Sequence, residues 1–322
     1  MSSETKLAVV IVNYGAADFI IAHLNKTLKE VEAFSAARIY IADNRSPGGD
    51  FDVLNDHVAA HALQERVTII DTGGNLGFAG GNNAAFAAFG DFQPDLIFMM
   101  NPDAWPEPGT FAQLAQTLKT HPDAAIAAPR IIDEHGVTAI SYFKFPSIID
   151  QYISETELGF LHRLTSWTLL DLEAAQKPIE TDWVSGAAFM LRASAATAPP
   201  MDDGYFLYFE ETDMMRTLTR NGHRILIEPA ARVVHIGGLT TGAGKDPRDK
   251  RLPVHWYNSW RRYFVKQYGH IGALLAALLK IAGIATYYLK QNLNGRGIFR
   301  PKRYLRDFMR HALVTIFTAG RN

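Results

Sequence analysis

The strongest constraint on this chain is a pairing repeated through its first half: a short apolar run, then a polar or glycine-rich stretch. Leu7–Val12, Arg38–Ala42, Val67–Ile70, Leu96–Met100 and Ala125–Ala128 read as strands. Their unbroken apolar character suits strands covered on both faces. Ala17–Glu32, Asn83–Phe89 and Thr110–Thr120 carry the helical period between them. This alternation predicts βαβ units with right-handed crossovers around a mostly parallel sheet. Trp183–Leu191 and Ile225–His235 read as further strands flanking a helix near Thr212–Asn221. Residues 141–180, punctuated by Pro146 and Pro178, read as an insertion capping one end of the sheet, and Gly237–Pro253 as a mobile loop.

In open parallel sheets, ligands bind beyond the carboxyl ends of the strands. Four consecutive strands here are followed by Asn13-Tyr14-Gly15, by Asp43-Asn44-Arg45-Ser46, by the run Asp71 to Asn83, and by Asn101-Pro102-Asp103. One polar turn says little. Four at the same edge describe a site for a polar, phosphorylated ligand. Asp43 is placed to accept from a ribose or a base imide, or else to close an Asx turn. The glycine-rich loop lets backbone amides approach an anion or a sugar, and its spacing is not the GxGxxG of dinucleotide folds. Asp103 suits a hard divalent cation shared with phosphate oxygens, or a helix N-cap. In Gly204 to Asp213 an aromatic run precedes Glu210, Glu211 and Asp213. Acids so placed serve either as a proton acceptor or as partners of a helix dipole. His235 ends a strand, as a metal ligand or a structural imidazole.

Composition narrows the class. The 322 residues are 48% hydrophobic and 20% charged, which excludes a disordered chain. The absence of cysteine excludes disulfides, thiolate metal sites and cysteine nucleophiles, and favours a reducing compartment. The first six residues lead straight into LAVVIV, so no secretory signal is expected. The formal net charge of −1 conceals an asymmetry. Residues 261–322 hold twelve Lys and Arg against one acid, Asp307, a net of +11. Such a tail fits a polyanionic partner, nucleic acid or anionic lipid. Its aliphatic richness disfavours nucleic acid. Ile271–Leu289 places Ile271, Leu274, Leu275, Leu278 and Leu289 on one helical face and Ala273, Ala276, Lys280 and Gly283 on the other. In 303–317, Leu305, Phe308, Met309, Ala312 and Ile316 oppose Arg303, Arg306 and Arg310. Two basic amphipathic helices are expected to lie on a membrane surface; packing on the body and spanning are the alternatives. The expected division is 1–254 and 255–322.

The ordered pieces VVIVNY, ADNRS, GGNLGFAGGNN, NPDAWPEPG, DWVSGAAFMLR, FLYFEETDM and VVHIGG resemble the family 2 glycosyltransferases, inverting enzymes that use nucleotide sugars. The rhamnosyltransferase and galactofuranosyltransferase-like branch is the most similar. The resemblance covers about residues 7–240. It implies an α/β nucleotide-diphospho-sugar transferase (GT-A type) fold, here with a C-terminal helical extension. It places Asn13, Tyr14, Asp43, Asn44, Gly77, Asn82, Asn101 and Asp103 around the nucleotide sugar, and Trp183 and Gly186 at the acceptor or donor sugar. Asp103 is the last position of the family's Asp-x-Asp motif, whose first position is Asn101 here. His235 matches a position that completes coordination of Mg²⁺ or Mn²⁺. Glu211 falls at the catalytic base, with Glu210 as the fallback and Asp213 behind it.

The same resemblance implies an inverting transfer of a sugar, rhamnose in the family branch, from a dTDP- or UDP-sugar. The acceptor is a glycan or polyprenyl-diphosphate-linked glycan, in cell-envelope polysaccharide synthesis. The enzyme is expected in the cytoplasm, peripheral at the inner face of the membrane. Loop 237–253 would close over the donor, with Lys245, Arg248, Lys250 and Arg251 near the diphosphate. The competing classes are a non-catalytic nucleotide-sugar or glycan binder and a sugar nucleotidyltransferase, which would release pyrophosphate.

Overall fold

The computed structural model describes residues 5–159, 161, 171–237 and 250–318. In chain order the first elements are β1 (Lys6–Asn13), α1 (Ala17–Val31), β2 (Ala36–Asp43), α2 (Asp50–Ala60), β3 (Val67–Asp71), α3 (Gly77–Ala87) and β4 (Leu96–Met100). Next come β5 (Ala104–Pro106), α4 (Thr110–Thr120), β6 (Ala124–Ile132), β7 (Tyr142–Phe143), α5 (Asp150–Thr156), β8 (Ile179–Thr181), β9 (Trp183–Val184) and β10 (Ala188–Arg192). The chain ends with α6 (Glu210–Arg220), β11 (Arg224–His235), α7 (Val254–Leu293) and α8 (Tyr304–Phe308).

The chain forms two contact units. The first comprises Met1–Lys144, Asp171–Phe206 and Glu210–Gly244; the second comprises Phe145–Leu170, Leu207–Phe209 and Lys245–Asn322. Residues 145–159, read from sequence as part of a sheet-capping insertion, thus belong with the C-terminal helices. Their partner lies more than a hundred positions away, which local pattern does not register.

The first unit is built on a nine-stranded sheet ordered β3-β2-β1-β4-β10-β6-β11-β5, with β8 also on β11. β3, β2, β1 and β4 pair in parallel, as do β6 and β11. β10 runs antiparallel between β4 and β6, so six strands share one direction. Leu7, Val9, Ile39, Ile41, Phe98 and Ala127 are fully buried, as strands covered on both faces require. Two sequence expectations change. Trp183–Leu191 is not one strand: β9 pairs β7 in a small second sheet, β10 joins the main sheet, and the chain breaks at Ser185–Gly186. The helix expected from Asn83 begins at Gly77: Gly77 and Gly81 are set by close contacts with the Phe206 carbonyl and with Val12 and Asn44, not by a loop.

In the second unit α7 is two helical stretches broken at Gly269, whose φ of 69° and ψ of 174° are not helical. The first stretch buries Tyr257, Trp260, Tyr263 and Phe264. The second packs on α5 through its small residues. A Cβ on Gly283 would lie 2.6 Å from the Tyr152 carbonyl oxygen, so only glycine allows this approach. Lys280 is buried beside it, donating to Glu155, which also accepts from the Tyr304 hydroxyl at 2.8 Å. Arg251, a sequence candidate for the diphosphate, is instead ion-paired with buried Asp307. Lys245 and Arg248 lie outside the described residues, as does most of the proposed closing loop.

Candidate active site

The shared strand direction delivers the polar loops of β1, β2, β3 and β4 to one edge, and hydrogen bonds tie them into two groups. The first is centred on Asn13, which is fully buried at the end of β1, in register with Asp43 on β2. Its amide Nδ2 donates to Asp43 Oδ1 at 2.8 Å and to Asp50 Oδ2 at 3.0 Å, and its Oδ1 accepts from Ala16 N–H. Asp43 accepts from the Ser46 N–H, three residues on, at 3.1 Å and from the Ser46 hydroxyl at 2.6 Å. The Asn13 side chain is thereby committed to holding Asp43 in place. Tyr14, next along, is 41% exposed and free to present its ring. Asp50 was missed in the sequence, where Gly48-Gly49-Asp50 reads only as a turn. It accepts from Ala17 N–H at 3.0 Å and so anchors the start of α1 as well.

Asn44 connects this group to the glycine-rich segment: its Nδ2 donates to the Gly77 carbonyl at 2.7 Å. Gly77 has φ of 72°, and a Cβ there would sit 1.9 Å from the Phe206 carbonyl oxygen. Both the left-handed backbone and the contact exclude a larger residue. Phe78 N–H donates to the same Phe206 oxygen at 2.8 Å. Asn82 is buried and turned back onto its own helix, donating to the Phe78 carbonyl at 2.9 Å.

The second group surrounds the end of β4. Asn101 N–H donates to the Ala187 carbonyl at 2.9 Å, and its Nδ2 lies 3.3 Å from His235 Nε2. The same imidazole nitrogen is 3.2 Å from Asp103 Oδ1. Antiparallel pairing of β5 with β11 sets His235 opposite Ala104, which explains how residues 132 positions apart meet. An imidazole nitrogen and a carboxylate oxygen at this separation fit two adjacent ligands of one divalent cation, which stand about 3 Å apart when each bond is about 2.1 Å. Among the described residues no cluster of three or more His, Asp or Glu groups completes such a site, so the remaining ligands would come from phosphate and water.

Gly186 joins the two groups to the acids. It lies one residue before Ala187, and a Cβ on it would touch both the Phe78 ring and the Glu211 carboxylate, at 3.5 and 3.7 Å. The Gly186 N–H donates to that carboxylate, as do the N–H groups of Glu211 and Thr212 at the start of α6. Burial raises Glu211 above the ordinary carboxylate range, and those N–H donors oppose the rise. Its Oε2 is enclosed and has no hydrogen-bond partner. Glu210 is pushed up further, first by burial and then by the Glu211 charge. Glu211 is thus contiguous with the end of β4 through Gly186 and Ala187, and with the Asn44 side through Phe78 and Gly77. Trp183 is bound elsewhere in the small sheet: its indole N–H donates to the Lys144 carbonyl at 2.9 Å and its ring stacks on Phe143 at 4.4 Å.

A family model described as "Glycosyltransferase like family 2" matches residues 5–248. The chain is 27% identical over 230 residues to N-acetylglucosaminyl-diphospho-decaprenol L-rhamnosyltransferase of Mycobacterium tuberculosis (strain ATCC 25618 / H37Rv), covering 67% of this chain and 71% of that one. It is 24% identical over 233 residues to rhamnosyltransferase WbbL of Escherichia coli (strain K12), covering 70% and 82%. Among solved structures, GalNAc-T7 with UDP, GalNAc and Mn²⁺ superposes with a TM-score of 0.60 at 12% identity, over 98% of this chain and 58% of that one. The chain therefore spans under two thirds of that neighbour's length, and the likeness concerns the fold. The family match spans the sheet, both hydrogen-bonded groups and Glu211, and from it the chain belongs to the family 2 glycosyltransferases and is a glycosyltransferase of GT-A fold.

Proposed function

We propose that the chain transfers a sugar, rhamnose in the first instance, from a dTDP- or UDP-sugar to a hydroxyl of a polyprenyl-diphosphate-linked glycan. The anomeric configuration inverts. The observation that carries this reading is the Glu211 carboxylate: enclosed, raised by burial, with one oxygen unpartnered, and contiguous with the Asn101–Asp103–His235 group. The names of the relatives supply the sugar and the lipid diphosphate.

The chemistry assigns one step to each part of the site. The acceptor oxygen attacks the anomeric carbon from the face opposite the diphosphate. The bond from that carbon to the diphosphate oxygen breaks, and the nucleoside diphosphate leaves with the electron pair. The acceptor proton passes to Glu211, a general-base contribution of about 10²–10⁴-fold. Asp43, held by Asn13 and Ser46, takes the base or ribose. The segment from Gly77 to Asn83 borders the sugar diphosphate. Mg²⁺ or Mn²⁺, held by Asp103 and His235, would supply charge stabilisation for the departing diphosphate. A lipid-linked acceptor supports the reading of an enzyme working at the cytoplasmic face of a membrane.

Glu211→Gln keeps the shape and removes the base. Its kcat is expected to fall about 10²-fold or more, with nucleotide binding unchanged by thermal shift. Glu210→Gln is expected to retain transfer. The base works ionised, so wild-type kcat/KM should decline on the acid side at a pH above that of an ordinary carboxylate. Full transfer by Glu211→Gln, with loss in Glu210→Gln, would reverse the assignment. Release of pyrophosphate instead of a nucleoside diphosphate would replace the reading by nucleotidyl transfer.

A further inference from the structure

We propose that the second stretch of α7, residues 270–293, seats this chain in the plane of an anionic lipid bilayer through one continuous apolar stripe. Ile271, Leu275, Leu278, Ala282, Ala285, Leu289 and Leu293 succeed one another at steps of four, three, four, three, four and four residues. Those steps keep them on one side of the helix along roughly 33 Å. All seven are exposed, Ile271 by 74% and Leu293 by 76%. The stripe contains no polar residue.

The helix is apolar on both sides. Its inward face is made of Ala273, Ala276, Ala277, Gly283, Ile284 and Tyr287 with buried Lys280, while Leu275, Leu278, Leu289 and Leu293 point to solvent. The inward face is fixed: Gly283 abuts the Tyr152 backbone and Lys280 pairs with Glu155. An 18-residue window of α7 has a mean hydropathy of 1.6, so by length and composition alone the helix could cross a bilayer. Crossing a bilayer, however, would pull the ion pair apart or carry α5 into the hydrocarbon. Lying flat leaves the inward face intact and buries only the stripe. Ile298 and Phe299, both about half exposed, extend the apolar surface beyond the helix end.

Charge selects the occupant. Residues 261–322 carry +11, and their one acid, Asp307, is buried against Arg251. Arg262, Lys266, Arg296, Arg303, Arg306 and Arg310 are exposed in the same unit. Exposed cations in the unit that carries the apolar stripe match anionic headgroups above acyl chains. Two copies of this face would instead bring like charges together. The proposal deepens the lipid-linked acceptor reading by naming the surface that meets the membrane, and it does not involve Glu211.

The full chain is sedimented with vesicles of phosphatidylcholine alone and of phosphatidylcholine with phosphatidylglycerol. Wild type is expected to pellet with the second and weakly with the first. Leu275→Glu/Leu278→Glu is expected to lower partitioning about tenfold or more, with its thermal melt and its transfer to a soluble acceptor unchanged. Should that doublet fail to fold, Leu289→Gln/Leu293→Gln carries the same test from the other end of the stripe. Glu211→Gln is expected to pellet like wild type, so loss of catalysis and loss of docking are read separately. Unchanged vesicle binding by a folded stripe variant would overturn the proposal. So would equal binding to both vesicles, or a concentration-dependent dimer that the variant abolishes, which would make the stripe an interface between copies.

Discussion

Lys280→Met removes one side of a buried ion pair, and the surroundings of the pair set the cost. Lys280 and Glu155 are 5% and 7% exposed. Burial pulls the Lys280 ammonium below its ordinary range, and the Glu155 charge pulls it back. Breaking such a pair from one side leaves an uncompensated charge and costs about 3–5 kcal/mol. Here Glu155 would keep the Tyr304 hydroxyl at 2.8 Å and Arg300 at 3.5 Å, so Lys280→Met falls at the low end, about 3 kcal/mol. Glu155→Gln falls higher, about 4 kcal/mol, because Lys280 would keep no negative partner, only a neutral amide oxygen and the faces of Trp256, Tyr304 and Phe308, at 5.6 to 5.7 Å. Lys280→Met/Glu155→Leu should recover most of the loss, short by about 1 kcal/mol for the orphaned Tyr304 hydroxyl. Urea unfolding of wild type, Lys280→Met, Glu155→Leu and the double variant, compared at a common m-value, gives the coupling. A neutral or stabilising Lys280→Met alone would refute the reasoning, since it would mean that the pair contributes nothing that methionine packing does not.

The site itself yields two further expected outcomes. Glu210 is 3% exposed and its folded pKa is raised, so its ionisation opposes folding above that pKa and the penalty fades as pH falls through it. Glu210→Gln should therefore raise the unfolding free energy from urea titration at pH 8, by about 1 kcal/mol or more, with the gain shrinking toward the ordinary carboxylate range; a gain independent of pH would contradict this. Gly77→Ala must displace the Phe206 carbonyl and adopt a left-handed backbone, so stability should fall by about 2 kcal/mol or more and the donor KM should rise. Kinetics and melts matching wild type would show that the turn tolerates a side chain.

The sheet was legible because its strands advertise themselves: Leu96–Met100 has the same limits in sequence and structure, and β1, β2 and β6 only extend their apolar runs by one to four residues at an end. Local pattern failed where a distant partner decides. Gly77 and Gly81 look like loop residues until the Phe206 carbonyl and the Val12 and Asn44 side chains are seen pressed against them. The break at Gly186 is invisible in a run of strand-forming residues, yet it frees an N–H for Glu211. The wheel of α7 separated its two faces correctly. It could not say that the lysine face turns inward, because Glu155 lies 125 positions earlier. Asp50 carries no motif; only the fold brings it to Asn13.

The common heading of six strands has a practical corollary. Every polar loop of the site leaves one end, so the turns at the other end, around Phe34–Ser35 and Gln93–Asp95, answer only to folding. Dyes, affinity handles or added residues placed there would report on the enzyme without disturbing transfer, whereas the same insertions after Asn13, Asp43 or Met100 would fall among the reactants.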